Sequence, residues 1–141
     1  MADELTPEIM NGWARESLPG LLGVEITAVS KGRVEGRLPV RKDLVAGNGA
    51  LWAPAVIGLT DCLCAYGVST VWPEGASGFT TVEVKCNFMG TVREGAVKAV
   101  AEMLHGGRTT QVWDATVTDE ATGKLLAAFR CTQIILYPRK G

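Results

Sequence analysis

Three residues of this chain are of types, and at spacings, that could do chemistry together. Asp61 is the only Asp, Glu, Lys, Arg or His between Asp43 and Glu74, and it stands in the apolar run Ala53–Val71. An ionised carboxylate is costly to bury alone, so this one must be paired, protonated or open to a cleft. A carboxyl that burial makes more basic is suited to general-base work. The plainer alternative, a cap on a neighbouring loop or a solvated helix face, stays open at this point. The second candidate is a backbone group. Leu51-Trp52-Ala53-Pro54 opens the apolar run, so free N–H groups and the positive end of a helix dipole are expected near Ala53. Such an end can hold a developing oxyanion, although Pro54 removes one donor. The third is Thr81. Two-residue alternation over Phe79–Met89 groups Thr81 with Glu83, Lys85 and Asn87, opposite Val82, Val84, Cys86 and Phe88. That polar face is either solvated or covered by a second subunit, where Thr81 would reach a shared site.

The elements that must position these residues follow from local signals. Thr6-Pro7-Glu8 reads as an N-cap, a proline in the first turn and an acid beside the dipole, so a short helix is expected over Pro7–Ser17, ended by Leu18-Pro19-Gly20. Gly23–Ser30 and Arg33–Val40 alternate around Lys31-Gly32, a hairpin signal. A polar loop, Arg41–Gly49, leads to Ala53–Val71, which is too long for a strand and apolar nearly all round. It is therefore expected as a central helix buried on most sides. Four strands then follow, over Phe79–Met89, Ala96–His105, Thr109–Asp119 and Lys124–Tyr137, joined by short glycine-bearing turns that suit antiparallel neighbours. The fold class is α+β, with one antiparallel sheet wrapped around one long apolar helix in a single domain over residues 1–141.

Composition removes several function classes. With 141 residues, 14 Lys+Arg against 15 Asp+Glu and 47% hydrophobic residues, the chain is neither disordered nor basic. No nucleic-acid or membrane partner is expected. Met1-Ala2-Asp3-Glu4-Leu5 lacks the basic and apolar regions of a secretory leader, and a cytoplasmic location is expected. Cys62, Cys64, Cys86 and Cys131 form no CxxC pair, so core thiols are expected rather than a metal site or disulfides. His105 is the only histidine and precedes Gly106-Gly107 at a strand end, where a structural or solvated role is the expectation.

From about Leu18 to Tyr137 the chain resembles the hotdog-fold acyl-CoA thioesterases of the phenylacetate-degradation (PaaI-like) type. The family pattern Gly-x-x-His-Gly-Gly, with an acid nine residues after the histidine, is matched by Gly49 and Asp61. The stretch Thr81–Met89 with Arg93-Glu94-Gly95 is similar to the family's third strand and turn, Gly107-Arg108-Thr109-Thr110 to its Gly-Arg-Thr-Thr signature, and Thr122-Gly123-Lys124-Leu125 to its last hairpin. His-Gly-Gly is replaced here by Trp52-Ala53-Pro54. The resemblance implies hydrolysis of an aryl or medium-chain acyl-CoA, with Asp61 as general base or nucleophile and the Ala53 amide on the thioester oxygen. Thr81 would come from a neighbouring subunit. Gly49 and Trp52 would border the acyl group, with Leu59 and Tyr66 adding apolar surface. Arg108, Thr109 and Thr110 would meet the CoA phosphates, helped by Arg93 or Arg139. It further implies a homodimer or dimer of dimers, with no cofactor beyond the CoA of the substrate. The replaced His-Gly-Gly gives a second reading, an acyl-CoA or small-lipid binding protein that no longer hydrolyses.

Overall fold

The computed structural model describes residues 4–141; Met1, Ala2 and Asp3, part of the leader reading, lie outside the described residues. The helices are α1 (Pro7–Ala14), α2 (Leu18–Leu22) and α3 (Ala53–Val68); the strands are β1 (Glu25–Ser30), β2 (Arg33–Pro39), β3 (Gly78–Phe88), β4 (Ala96–Gly106), β5 (Thr110–Asp119) and β6 (Leu125–Leu136). All six strands join one antiparallel sheet in the order β1-β2-β4-β5-β6-β3. This is the hotdog architecture expected, with α3 packed against the middle of the sheet, chiefly β4, β2 and β5.

One expectation fails at the start of the chain. Helix α1 stops at Ala14, and Leu18-Pro19-Gly20 begins a second helix instead of ending the first. Proline is tolerated in a first turn because its missing N–H would have no partner there. Pro19 therefore reads equally as a stop for the helix before it and a start for the one after.

Helix α3 is long and apolar because the sheet covers much of it. Leu59, Leu63, Cys64 and Val68 are sealed against Val34, Val97, Trp113 and Val117. At Gly67 the helix passes so close to Trp113 that an added Cβ would stand 2.5 Å from the indole, so only glycine fits without a shift. The remaining turn of the expected helix, Ser69–Val71, is 3-10 in form.

The sheet's two edges differ. Strand β1 is short, and Asn11 of α1 pairs with it as another strand would. Its Oδ1 accepts from the Ile26 N–H at 2.8 Å, and its Nδ2 donates to the Ile26 carbonyl at 3.1 Å. Strand β3 spans 11 residues and bonds only to β6, leaving Val82, Val84 and Phe88 exposed.

Candidate active site

The structure brings Asp61 and Thr81 together within one chain, and a β-bulge is the reason. In the β3–β6 ladder Thr81 faces Gln133, but Glu83 faces Thr132, with the irregularity between them. Directly opposed residues of an antiparallel pair point to the same side. Gln133, Cys131 and Phe129 are buried toward the helix, so Thr81, Val84, Cys86 and Phe88 share that side. Glu83, Lys85 and Asn87 take the other. Simple alternation placed Thr81 with the second group, and the extra residue at Val82 reverses it.

The Thr81 hydroxyl consequently lies 3.4 Å from Asp61 Oδ1 and 2.9 Å from Gln133 Oε1. Asp61 is half-buried. Desolvation holds its carboxyl above the usual carboxylate range, and the Thr81 hydroxyl partly offsets this. Burial likewise pushes the adjacent Cys62 thiol up to about 12. Thr81 was expected to serve Asp61 from a second subunit, and the single chain already supplies it.

Gln133 was not anticipated. It is fully buried, and its Nε2 lies 3.5 Å from Cys131 Sγ. The available signal was a polar residue in the core phase of the strand, after Phe129 and Cys131 and before Ile135.

The other half of the expected site lies at the start of α3. Trp52 is the N-cap, with extended backbone and no side-chain cap bond, and Pro54 stands in the first turn. The Ala53 N–H has no acceptor among the described residues, as a first helical position requires. In front of it opens a cavity of about 220 Å³, bordered by Trp52, Ala53, Val56, Phe88, Val92 and Leu126. Gly49 takes φ +84° in the preceding loop, where Arg93 donates to the Asn48 carbonyl. Arg93 thus braces that loop.

Leu59 and Tyr66 do not line this cavity. Leu59 is sealed in the core, and the Tyr66 ring meets Trp13 edge-on at 5.3 Å. A larger hollow of about 480 Å³, between Trp13 and Trp72, contains none of the predicted site residues.

Arg108 and Thr109 occupy the β4–β5 turn, and Thr110 begins β5. The Arg108 guanidinium sits 4.6 Å over the Tyr137 ring, and the Tyr137 hydroxyl donates to the Arg108 carbonyl. Register sets Thr110 beside Ile134 and Ile134 beside Thr80, so this turn lies at the sheet end where β3 begins. The 11 residues of β4 separate it from the Arg93 loop by roughly 35 Å. One chain does not bring these arginines together. His105 is exposed on β4 near the same turn as Arg108. No cluster of metal-ligating side chains occurs among the described residues.

A half-buried carboxyl, a free helix-start amide and an apolar hollow are the parts an acyl-transfer site needs. Comparison with known proteins agrees. The chain is 32% identical to the 1,4-dihydroxy-2-naphthoyl-CoA hydrolase of Listeria monocytogenes over 84% of this chain and 95% of that one. A mutant of the thioesterase PA1618 of Pseudomonas aeruginosa superposes with a TM-score of 0.89 at 27% identity, covering 96% of each chain. The PaaI protein of Escherichia coli, at 20% identity and a TM-score of 0.75 over 84% of this chain and 83% of that one, shares the fold. Residues 48–126 match the sequence profile of the thioesterase superfamily, and the chain belongs to that family.

Proposed function

We propose that this protein hydrolyses an acyl-CoA thioester at a site built from two copies of the chain. The observation that carries the reading is the juxtaposition of Asp61 and Thr81 on the helix side of an open sheet edge. Asp61 takes a proton from water, and the water oxygen attacks the thioester carbonyl carbon. The Ala53 N–H holds the resulting oxyanion. The carbon–sulfur bond then breaks, and the CoA thiolate leaves and is protonated. Direct attack by the carboxylate, through a short-lived anhydride, uses the same groups.

Helix geometry argues for two copies. Ala53 and Asp61 are eight residues apart on α3, hence about 12 Å along its axis, too far to touch one thioester. The amide of one copy and the carboxyl of another satisfy the chemistry. Pairing of the two β3 edges about Val84 would set Glu83 of each copy opposite Lys85 of the other, a favourable cross-strand match. It would also cover the exposed Val82, Val84 and Phe88.

The apolar cavity beside Ala53 suits an aryl or medium-length acyl group, and the naphthoyl-CoA hydrolase relative favours the aryl class. Arg108, Thr109 and Thr110 offer a cation, hydroxyls and turn amides to the CoA phosphates. The reaction needs no cofactor of its own. Four free cysteines suit a reducing cytoplasm.

The test is hydrolysis of a panel of aryl and aliphatic acyl-CoA esters by the native protein and by Asp61→Asn. Native turnover, falling about 100- to 10,000-fold in the variant, is the expected result. Binding of the esters without hydrolysis by either form would leave the non-hydrolysing binder in its place.

A further inference from the structure

Four side chains form a continuous path from the acid into the core: Asp61, Thr81, Gln133 and Cys131. We propose that Gln133 is a positioning residue whose side-chain amide, acting through the Thr81 hydroxyl, decides whether Asp61 keeps its proton. This deepens the hydrolysis reading, on which it rests, by naming what sets the charge of the base.

The argument is a count of hydrogens. Thr81 has one hydroxyl hydrogen and two acceptors in reach, Asp61 Oδ1 at 3.4 Å and Gln133 Oε1 at 2.9 Å. It can serve one at a time. With Asp61 protonated, every group is used. Asp61 donates to Thr81, Thr81 donates to Gln133 Oε1, and Gln133 Nε2 donates to Cys131 Sγ. The shorter of the two Thr81 contacts, to Gln133, fits that pattern.

Ionising Asp61 reverses the chain. Thr81 must then turn its hydrogen to the carboxylate, and Gln133 Oε1 is left buried without a donor, an unfavourable state. A half-turn of the amide removes the conflict, because its oxygen and nitrogen occupy nearly the same shape. Nε2 then donates to Thr81, and the Cys131 thiol donates to Oε1. Gln133 is fully buried, so water cannot substitute for either partner. Loss of the proton from Asp61 is thereby coupled to a rotation in the core.

The titratable groups on this side of the sheet are Cys62, Cys64 and Tyr66 of α3, Cys86 of β3 and Cys131 of β6, while Asp114 of β5 acts on the thiols from the other face. None of them contributes a positive charge. The Cys131 sulfur and burial together push the Cys64 thiol up, so it stays neutral beside Cys131. The only neighbour offsetting desolvation at Asp61 is the Thr81 hydroxyl, the group Gln133 competes for.

The experiment follows the Asp61 carboxyl and the Gln133 side-chain amide of the full chain by carbon- and nitrogen-detected NMR across a pH titration. In the native protein the Gln133 amide signals are expected to move with the same midpoint as the Asp61 carboxyl. In Gln133→Met, Thr81 has only Asp61 to donate to, so proton binding at Asp61 should weaken roughly two- to tenfold, the worth of one hydrogen bond. After Thr81→Val, Gln133→Met should cause no further change. Flat Gln133 amide signals through the Asp61 titration would overturn the proposal, and that readout needs no variant to fold. An unmoved midpoint in folded Gln133→Met, or a shift that persists after Thr81→Val, would overturn it equally. The midpoints exist whether or not any acyl-CoA is hydrolysed, so failure of this coupling and failure of the hydrolysis reading are separate results.

Discussion

The first turn of α3 and the turn carrying Asp61 belong to one helix, yet the proposed hydrolysis draws on them in opposite ways. At the first turn the useful group is a backbone N–H. Its availability follows from helix geometry, and the side chains around it form an apolar hollow. Trp52, in the position where the resembled pattern has histidine, is 59% exposed and makes no side-chain cap bond. At Asp61 the useful group is a side chain, and three further side chains from two strands set its surroundings. A backbone donor tolerates exchange of the residue that carries it, provided that residue is not proline. A side-chain acid depends on its neighbours. The comparison accounts for how Trp52-Ala53-Pro54 can stand for His-Gly-Gly without loss of the donor.

The largest test of that contrast removes the donor while keeping the helix. Ala53→Pro deletes the N–H at a position where proline is well tolerated. Hydrolysis should fall about 100- to 1,000-fold, the usual cost of one oxyanion donor, with little change in melting temperature. Ala53→Ser keeps the N–H and should stay near native turnover. Mixing Ala53→Pro with Asp61→Asn sharpens the comparison. If each site takes its amide from one copy and its acid from the other, randomly exchanged dimers regain about a quarter of native activity, because half the molecules hold one intact site. No recovery from folded, exchanging variants would return amide and acid to one chain. A smaller effect is expected at the acid end from Thr81→Ala. Turnover should drop about 10- to 100-fold as the carboxyl loses its orienting contact, while binding of the ester changes little. Kinetics that show equal turnover would remove Thr81 from the site.

The same contrast explains what was legible in the sequence. Asp61 stands out because a lone carboxylate in an apolar run conflicts with burial, and the free amide near Ala53 follows from any helix that starts there. The sheet was legible because glycine-bearing turns separate clean alternations. Thr81's side was not, since one extra residue at Val82 inverts the alternation, and a bulge leaves no mark in a two-residue pattern. Leu59 looked like pocket lining because an apolar residue near an acid reads the same whether it faces a cavity or the sheet. Gln133 had a signal, polarity in the core phase, but its meaning required knowing which strand lay beside it. Pairing between strands distant in sequence is what local patterns do not carry.

The last and smallest effect concerns stability. Desolvation raises the Asp61 carboxyl above its ordinary value of 3.8, so the folded protein binds that proton more tightly than the unfolded chain does. The stability this gives is fully present below pH 3.8 and is lost as pH rises through the folded value. Above that value the fold therefore holds a charge it would be more stable without. Asn carries no charge and has nearly the same shape. Asp61→Asn should accordingly melt a few degrees above the native protein at pH 7. The difference should shrink as the pH is lowered through the folded value and disappear once the native carboxyl is protonated too. Ala53→Ser, at the backbone end of the helix, should show no such pH-dependent difference from native. Thermal melts of the three proteins from pH 4 to 8 measure this directly. A gap between Asp61→Asn and native that is the same at every pH would mean that charge burial is not what separates the two ends of α3.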